Sequence, residues 1–315
     1  MMENKIGLLV MAYGTPGSLD EVESYYTHIR GGRKPSPAML SELIHRYEKI
    51  GGISPLARIT REQIDKLETK LNQVNSSFSF KVYLGQKHVF PFIEDAVRQM
   101  KEDGIQKAIT LVLAPHYSSY SSESYHERAR EESKKINGPS IMSIRSWYKE
   151  PSFITYWSQE LKNIYTGIPK EEQEKNMVIF TAHSLPQRIL ELADPYPEEI
   201  MDNAKLIAEQ ASIPYYDIAW QSAGRSPEPW LGPDILEKIR LLYKEGYTSI
   251  IICPIGFVAD HLEVLYDNDY ECCNVAKELG IHYFRPAMPN AQDEFIDGLA
   301  SAVLKKLLEK GEPNE

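Results

Sequence analysis

Eight short apolar runs, rich in β-branched residues, recur along this chain with stretches of helical period between most of them, and this pattern restricts the fold more than any other feature. The first four runs cover residues 5–12, 78–84, 108–114 and 140–147, and the second four cover 177–182, 216–220, 249–255 and 282–285. They are nearly continuously apolar rather than alternating, the pattern of strands buried on both faces. Helical periodicity appears at 62–71, 93–101, 123–135, 153–165, 198–211, 233–243 and 262–279, with a last segment at 294–308. Strands alternating with helices predict parallel sheets covered on both sides. The expectation is an α/β protein of two similar Rossmann-like domains, each a four-stranded parallel sheet flanked by helices. A polar segment at 167–176 divides an amino-terminal domain, 1–170, from a carboxy-terminal one, 171–315. The final helix could pack on either half, including back on the first. No residue-level repeat accompanies this duplication.

Composition removes several classes of function. The chain has 315 residues, 42% of them hydrophobic, enough for two conventional cores. Its net charge of −10 disfavours nonspecific nucleic-acid binding. No apolar run approaches the ~18–20 residues that span a bilayer, and the amino terminus shows no small-residue cleavage site. Cys253, Cys272 and Cys273 form no CxxC pattern, which argues against a disulfide framework and against an iron–sulfur cluster. These features predict a soluble, unprocessed, cytoplasmic protein, taken as a monomer because no exposed apolar motif argues for a dimer.

Residues 14–58 break the alternation, with Gly and Pro clustered on either side of one polar helical stretch. This is too long for an ordinary strand-to-helix connection and reads as a functional lip. It carries Arg30, Arg33, Lys34, Arg46 and Tyr47, a basic and aromatic patch suited to an anionic, partly apolar ligand.

In open α/β sheets ligands bind beyond the carboxyl ends of the strands, and the chemically versatile residues collect there. Tyr13 ends the first run, Lys87 and His88 end the second, His116 and Tyr117 follow the third, and His183 ends the fifth. After the seventh run comes GFVADHLEVLYDNDYE, residues 256–271, in which Glu263, Asp267 and Glu271 recur at four-residue spacing. On a helix those carboxylates share a face and repel by ~0.2–0.5 kcal/mol per pair. A row of hard oxygen ligands suits a divalent cation. No GxGxxG, GxxxxGK[ST], GxSxG or HExxH occurs. His183 and Ser184 are neighbours on an extended segment, so their side chains point apart and make a poor catalytic pair. What remains is a cleft with an imidazole that can be neutral, a carboxylate row opposite, a phenol and a basic lip.

The motifs GLLVMAYGTP (7–16), YYTHIRGGRKP (25–35), RYEKIGGISPL (46–56), LAPHYS (113–118), TAHSLP (181–186), WLGPD (230–234) and the 256–271 segment are together highly specific. Through them the chain resembles a ferrochelatase over essentially its whole length, in particular the soluble Gram-positive coproporphyrin ferrochelatases. The resemblance implies two Rossmann-like halves around a porphyrin cleft and insertion of Fe²⁺ into coproporphyrin III to give coproheme. Iron is a substrate; no organic cofactor is implied. His183 and Glu263 match the pair implicated in metal binding and pyrrole deprotonation. Tyr13 matches a ligand to the inserted iron on the opposite ring face, and its presence favours coproporphyrin over protoporphyrin IX. Arg30, Arg46, Tyr47, Ser54 and Tyr125 match contacts to the macrocycle and its propionates. His88, Asp267 and Glu271 match an outer site for a divalent metal such as Mg²⁺. The porphyrin, ferrous iron and a transient handover to haem-pathway enzymes are the implied partners, with no nucleic acid and no integral membrane contact. His116 reads as a structural or supporting residue, and Lys87 is left without a role. One departure stands out: where the family generally has Gly before Asp-Pro, this chain has Ala193. The rival readings are a protoporphyrin IX ferrochelatase, a cobalt or nickel chelatase for another tetrapyrrole, and a tetrapyrrole or metal carrier without turnover.

Overall fold

The computed structural model describes residues 5–74, 77–224 and 226–309. The expectations for residues 1–4 and 310–315, including the missing cleavage site at the very amino terminus, lie in part outside them. Two four-stranded sheets form, with all paired strands parallel. The first is built from β1 (Lys5–Ala12), β2 (Ser79–Gln86), β3 (Lys107–Val112) and β4 (Ser140–Ile144) in the order β2-β1-β3-β4. The second is built from β5 (Asn176–His183), β6 (Tyr216–Gln221), β7 (Ser249–Cys253) and β8 (His282–Phe284) in the order β6-β5-β7-β8. The fold class is the one read from the sequence.

The central strands are fully buried because helices cover both faces. One apolar core runs through both halves, from Leu8, Val10 and Ile109 through Phe153 and Trp157 to Phe180, Ile251 and Phe295. Smaller cores fill the outer face of each sheet, around Leu9, Ile93 and Met100 and around Ile179, Ile239 and Ile252. The last helix, Asp293–Leu308, packs on the helices Leu56–Val74 and Pro151–Gly167 and near β3 and β4.

Several boundaries moved for local reasons. β4 stops at Ile144, not at 147, because Trp147 turns to donate both its backbone N–H to Pro115 and its indole N–H to Val112. β7 stops before Pro254, which has no N–H for the ladder. The lip holds two helices, Val22–Ile29 and Pro37–Lys49, rather than one. The acidic segment differs most. Residues 264–272 form a π-helix, Val264–Cys272, continuing as the α-helix Cys273–Leu279, where a single α-helix was expected. Among the described residues no helix is long and apolar enough to cross a membrane.

Candidate active site

The site lies where the carboxyl ends of both sheets face each other. His183 is the last residue of β5, and Glu263 follows the loop after β7. Gly256 lets that loop lie against β5: its N–H donates to Thr181, and a Cβ there would stand 2.6 Å from the Ala182 Cβ. The approach delivers Glu263 Oε1 to 3.6 Å from His183 Nε2, with about a third of each side chain open to the cleft. Glu263 Oε2 lies 3.6 Å from His261 Nε2 on its other side. The Ser184 hydroxyl does not pair with the His183 ring but donates to the Leu231 carbonyl, while His183 Nδ1 lies 2.5 Å from the Ser184 backbone carbonyl.

A π-helix has more residues per turn than the 3.6 of an α-helix. On an α-helix each four-residue step overshoots a full turn by roughly 40°, and the wider turn makes the same step fall short instead. Glu263, Asp267 and Glu271 therefore stay broadly on one side of the helix in either winding. Asp267 is almost fully buried, accepts from Ser222 Oγ, and has its Oδ1 without a hydrogen-bond partner. Arg46 Nη1, from the lip, stands 3.9 Å from that oxygen, and its guanidinium lies over the Tyr266 ring.

The electrostatics follow from this crowding. Burial alone would depress the His183 imidazole, but Glu263, the Ser184 carbonyl and Asp267 together outweigh it and push His183 up to about 9. Burial would likewise raise Glu263, yet His183 and His261 hold it well below the usual carboxylate range. The pair is thus imidazolium and carboxylate at neutral pH, where the sequence showed only an imidazole able to be neutral. Burial, then the Glu263 charge, push Asp267 up to about 7. Glu271 is raised too, mainly by burial and against the pull of Arg46.

Tyr13 comes from the other half, at the end of β1, where Gly14 turns the chain at φ +90°. Desolvation by the cleft walls, then Glu263 and Tyr47, hold its phenol well above its ordinary value, so Tyr13, Tyr47 and Glu263 share one cleft. Tyr47 is buried with its hydroxyl beside Thr15, and Ser54 is buried with its hydroxyl accepting from Leu56 N–H. Tyr125 is buried beneath the Lys87 ammonium, 4.7 Å from its ring centre. Arg30 and Arg33 donate to each other's backbone carbonyls, and neither pairs with a carboxylate among the described residues.

The predicted outer residues do not all converge. His88 packs on Tyr13, with ring centres 4.5 Å apart, and its Nδ1 lies 3.0 Å from His28 Nδ1, while Asp267 meets Ser222 and Arg46. No group of three or more His, Cys, Asp or Glu side chains among the described residues is gathered to hold a metal ion. His116 is buried away from the cleft, bonded to Asn203 of the other half. Sequence reasoning missed His261, His28, Ser222 and Gln221. Only His261 carried a signal, two residues before Glu263.

The ferrochelatase family model matches residues 5–307. The chain belongs to the ferrochelatase family. A coproporphyrin III ferrochelatase of Halalkalibacterium halodurans is 59% identical over 98% of this chain and 100% of its own length. The coproporphyrin III ferrochelatase of Bacillus subtilis is 54% identical over 98% of this chain and 99% of its own. Among solved structures, SirB from Bacillus subtilis with Fe³⁺ has a TM-score of 0.60 at 12% identity, covering 96% of both chains. CbiX, described as the terminal enzyme of sirohaem biosynthesis in denitrifying bacteria, has a TM-score of 0.52 at 11% identity, over 95% of this chain and 98% of that one. At those identities the two structures bear on the fold alone, and this ferrochelatase shares it.

Proposed function

We propose that this ferrochelatase inserts Fe²⁺ into coproporphyrin III to give Fe-coproporphyrin III. The observation that carries this reading is Glu263 held between His183 and His261 at 3.6 Å on each side, in a cleft that Tyr13 enters from the other half. Relatives at 53–59% identity named coproporphyrin III ferrochelatases support that substrate.

Insertion removes two pyrrole protons and turns nitrogen lone pairs toward the metal. Fe²⁺ arriving beside Glu263 replaces the positive charge of the His183 imidazolium, which then releases its proton outward along the acidic row. The neutral imidazole is the base for both pyrrole protons: it takes one as the iron enters, passes it to the acidic row and takes the other. Asp267, poised near neutrality, and Glu271 carry protons away from Glu263 and form the outer station for a divalent cation such as Mg²⁺. His88 joins them only by leaving His28. Tyr13 ligates the inserted iron from the opposite face of the ring. The Arg30 and Arg33 guanidiniums, without a carboxylate partner among the described residues, bind the propionates together with Arg46, Tyr47, Ser54 and Tyr125, and charge-assisted bidentate pairs set the ring's orientation. Holding the macrocycle bent contributes ~1–5 kcal/mol of strain drawn from that propionate binding. The product passes by transient handover to a later haem-pathway enzyme.

An anaerobic assay with Fe²⁺ and either coproporphyrin III or protoporphyrin IX, followed by the absorbance of the macrocycle, tests this. The expected result is insertion faster than the protein-free control, fastest with coproporphyrin and lost in His183→Ala. Tight porphyrin binding without acceleration would make the protein a carrier. Preference for Co²⁺ or Ni²⁺ and another tetrapyrrole would make it a different chelatase.

A further inference from the structure

We propose that Gln221 is the positioning residue that sets the gap between His183 and Glu263, acting with Thr181 and Asn268 as a buried amide clamp; the inference rests on the metal-insertion reading of this site. Gln221 ends β6 directly beside His183, its partner in the β5–β6 register. Its backbone carbonyl accepts the N–H of Ser184 at 2.8 Å, which fixes the chain on the far side of His183. Its fully buried side chain reaches toward the metal helix. Oε1 accepts from Thr181 Oγ1 at 2.7 Å and from Asn268 Nδ2 at 3.0 Å, while Nε2 lies 3.5 Å from the backbone carbonyl of Glu263. One residue therefore holds the strand that presents His183 through its main chain and the helix that presents Glu263 through its amide.

Two further observations argue that the clamp serves position rather than packing. Asn268 is fully buried with its Oδ1 unpartnered, a cost that an apolar residue packed there would not incur. The next residue, Ser222, adopts a left-handed backbone at φ 59° and donates its hydroxyl to Asp267. Consecutive residues at the end of β6 thus grip Glu263 and Asp267, one four-residue step apart where residues 264–272 wind as a π-helix. The buried Gln221 amide thus ties the end of β6 to the start of that helix.

The test replaces Gln221 with Met, similar in size and without hydrogen bonds, in the full chain. Steady-state insertion is measured against Fe²⁺ and against coproporphyrin separately, and Co²⁺ binding to porphyrin-free protein is measured by calorimetry. Removing a partner that orients a metal-binding residue typically costs 10–100-fold in metal affinity or activity. The expected result is a loss of about that size in Co²⁺ affinity and in kcat/KM for Fe²⁺, with the KM for porphyrin unchanged. The triple variant Gln221→Met, Thr181→Val, Asn268→Leu removes the stranded polar groups together and should regain thermal stability without regaining iron handling. Should Gln221→Met fail to fold, Thr181→Val alone should give the same split on a smaller scale. A lowered Tm with wild-type Co²⁺ affinity and iron kinetics in the folded protein would overturn the inference, as would iron and porphyrin parameters falling together. If the wild type binds Co²⁺ but inserts no iron, the functional reading fails while the calorimetry still decides the clamp.

Discussion

His183 at the end of β5 and Glu263 in the segment after the neighbouring β7 come within 3.6 Å of each other, and the carboxylate has a second imidazole, His261, at the same distance on its other oxygen. On the proposed reading, one negative charge between two imidazoles is what lets the site exchange a proton for a dication. Burial works against charge on both partners, so each is ionised largely because the other is.

That dependence predicts how His183 titrates. In the metal-free protein, NMR should place its imidazole near 9, where Glu263 has pushed it. In Glu263→Gln the carboxylate is gone and burial dominates, so the titration should drop below the ordinary 6.5. The same shift makes the pair a source of stability. Because the folded value lies above the unfolded one, the contribution is complete below about pH 6.5 and is lost as pH rises through about 9. The Tm difference between wild type and His183→Ala should shrink over that interval. A His183 that titrates alike in wild type and Glu263→Gln would show that the carboxylate does not govern it.

Asp267 predicts a change of the same sign from a different cause. Its carboxyl is raised to about 7 by burial and by Glu263, so the folded protein resists its ionisation. The cost is absent below about pH 4, where the group is protonated folded or unfolded, and is complete above about pH 7. Asp267→Asn keeps an acceptor for Ser222 and should raise Tm by a few degrees at pH 8 while leaving it unchanged at pH 4. Thermal melts at the two pH values check this; an equal gain at both would point to packing instead of charge.

What could be read from the sequence divides along physical lines. The central strands were visible because burial on both faces writes a nearly unbroken apolar run, while His183 stood out by ending a strand and Glu263 by the four-residue spacing of the carboxylates. The π-helix was not visible, since a four-residue repeat of carboxylates fits either winding until the buried partners of Asn268 are known. The charge state of His183 was open for a similar reason. Its charge depends on a carboxylate far along the chain, and only the 3.6 Å separation reveals which influence prevails. Gln221 had no signal at all, because a glutamine ending a strand is ordinary until its amide is seen to reach Asn268.

The lip predicts a clean effect on substrate binding. The Arg30 guanidinium lies 5.7 Å from the Tyr26 ring centre and has no carboxylate partner among the described residues. A hydrogen bond to a charged group is worth about 1.5–3 kcal/mol, so Arg30→Ala should raise the KM for coproporphyrin about tenfold or more. The KM for Fe²⁺ should stay put, because Arg30 does not touch the acidic row. Steady-state kinetics with each substrate varied in turn would expose an error here if the iron term moved instead.

Ala193 offers a prediction about stability alone. The short helix Arg188–Glu191 ends with Asp194 N–H donating to the Ile189 carbonyl and Ala193 N–H donating to Leu190, the paired bonds of a Schellman ending. That ending requires a left-handed residue after the last turn, and Ala193 supplies it at φ 50°. The strain is held because Asp194 is locked beyond it. Its Oδ2 accepts from Ser119 N–H and Oγ at 2.6 Å and from Ser118 Oγ at 3.1 Å, tying the two halves together, while Oδ1 accepts from Tyr196 N–H. Tyr196 in turn donates its hydroxyl to the His183 carbonyl at 3.0 Å. A left-handed alanine costs roughly 1–2 kcal/mol, and glycine removes that cost while giving back roughly 0.5–1 kcal/mol through the freedom of the unfolded chain. Ala193→Gly should therefore gain up to about 1 kcal/mol in urea unfolding, with insertion kinetics unchanged because Asp194 and Tyr196 keep their places. Loss of stability in Ala193→Gly would mean that the alanine methyl group contributes more through its contacts than its backbone costs.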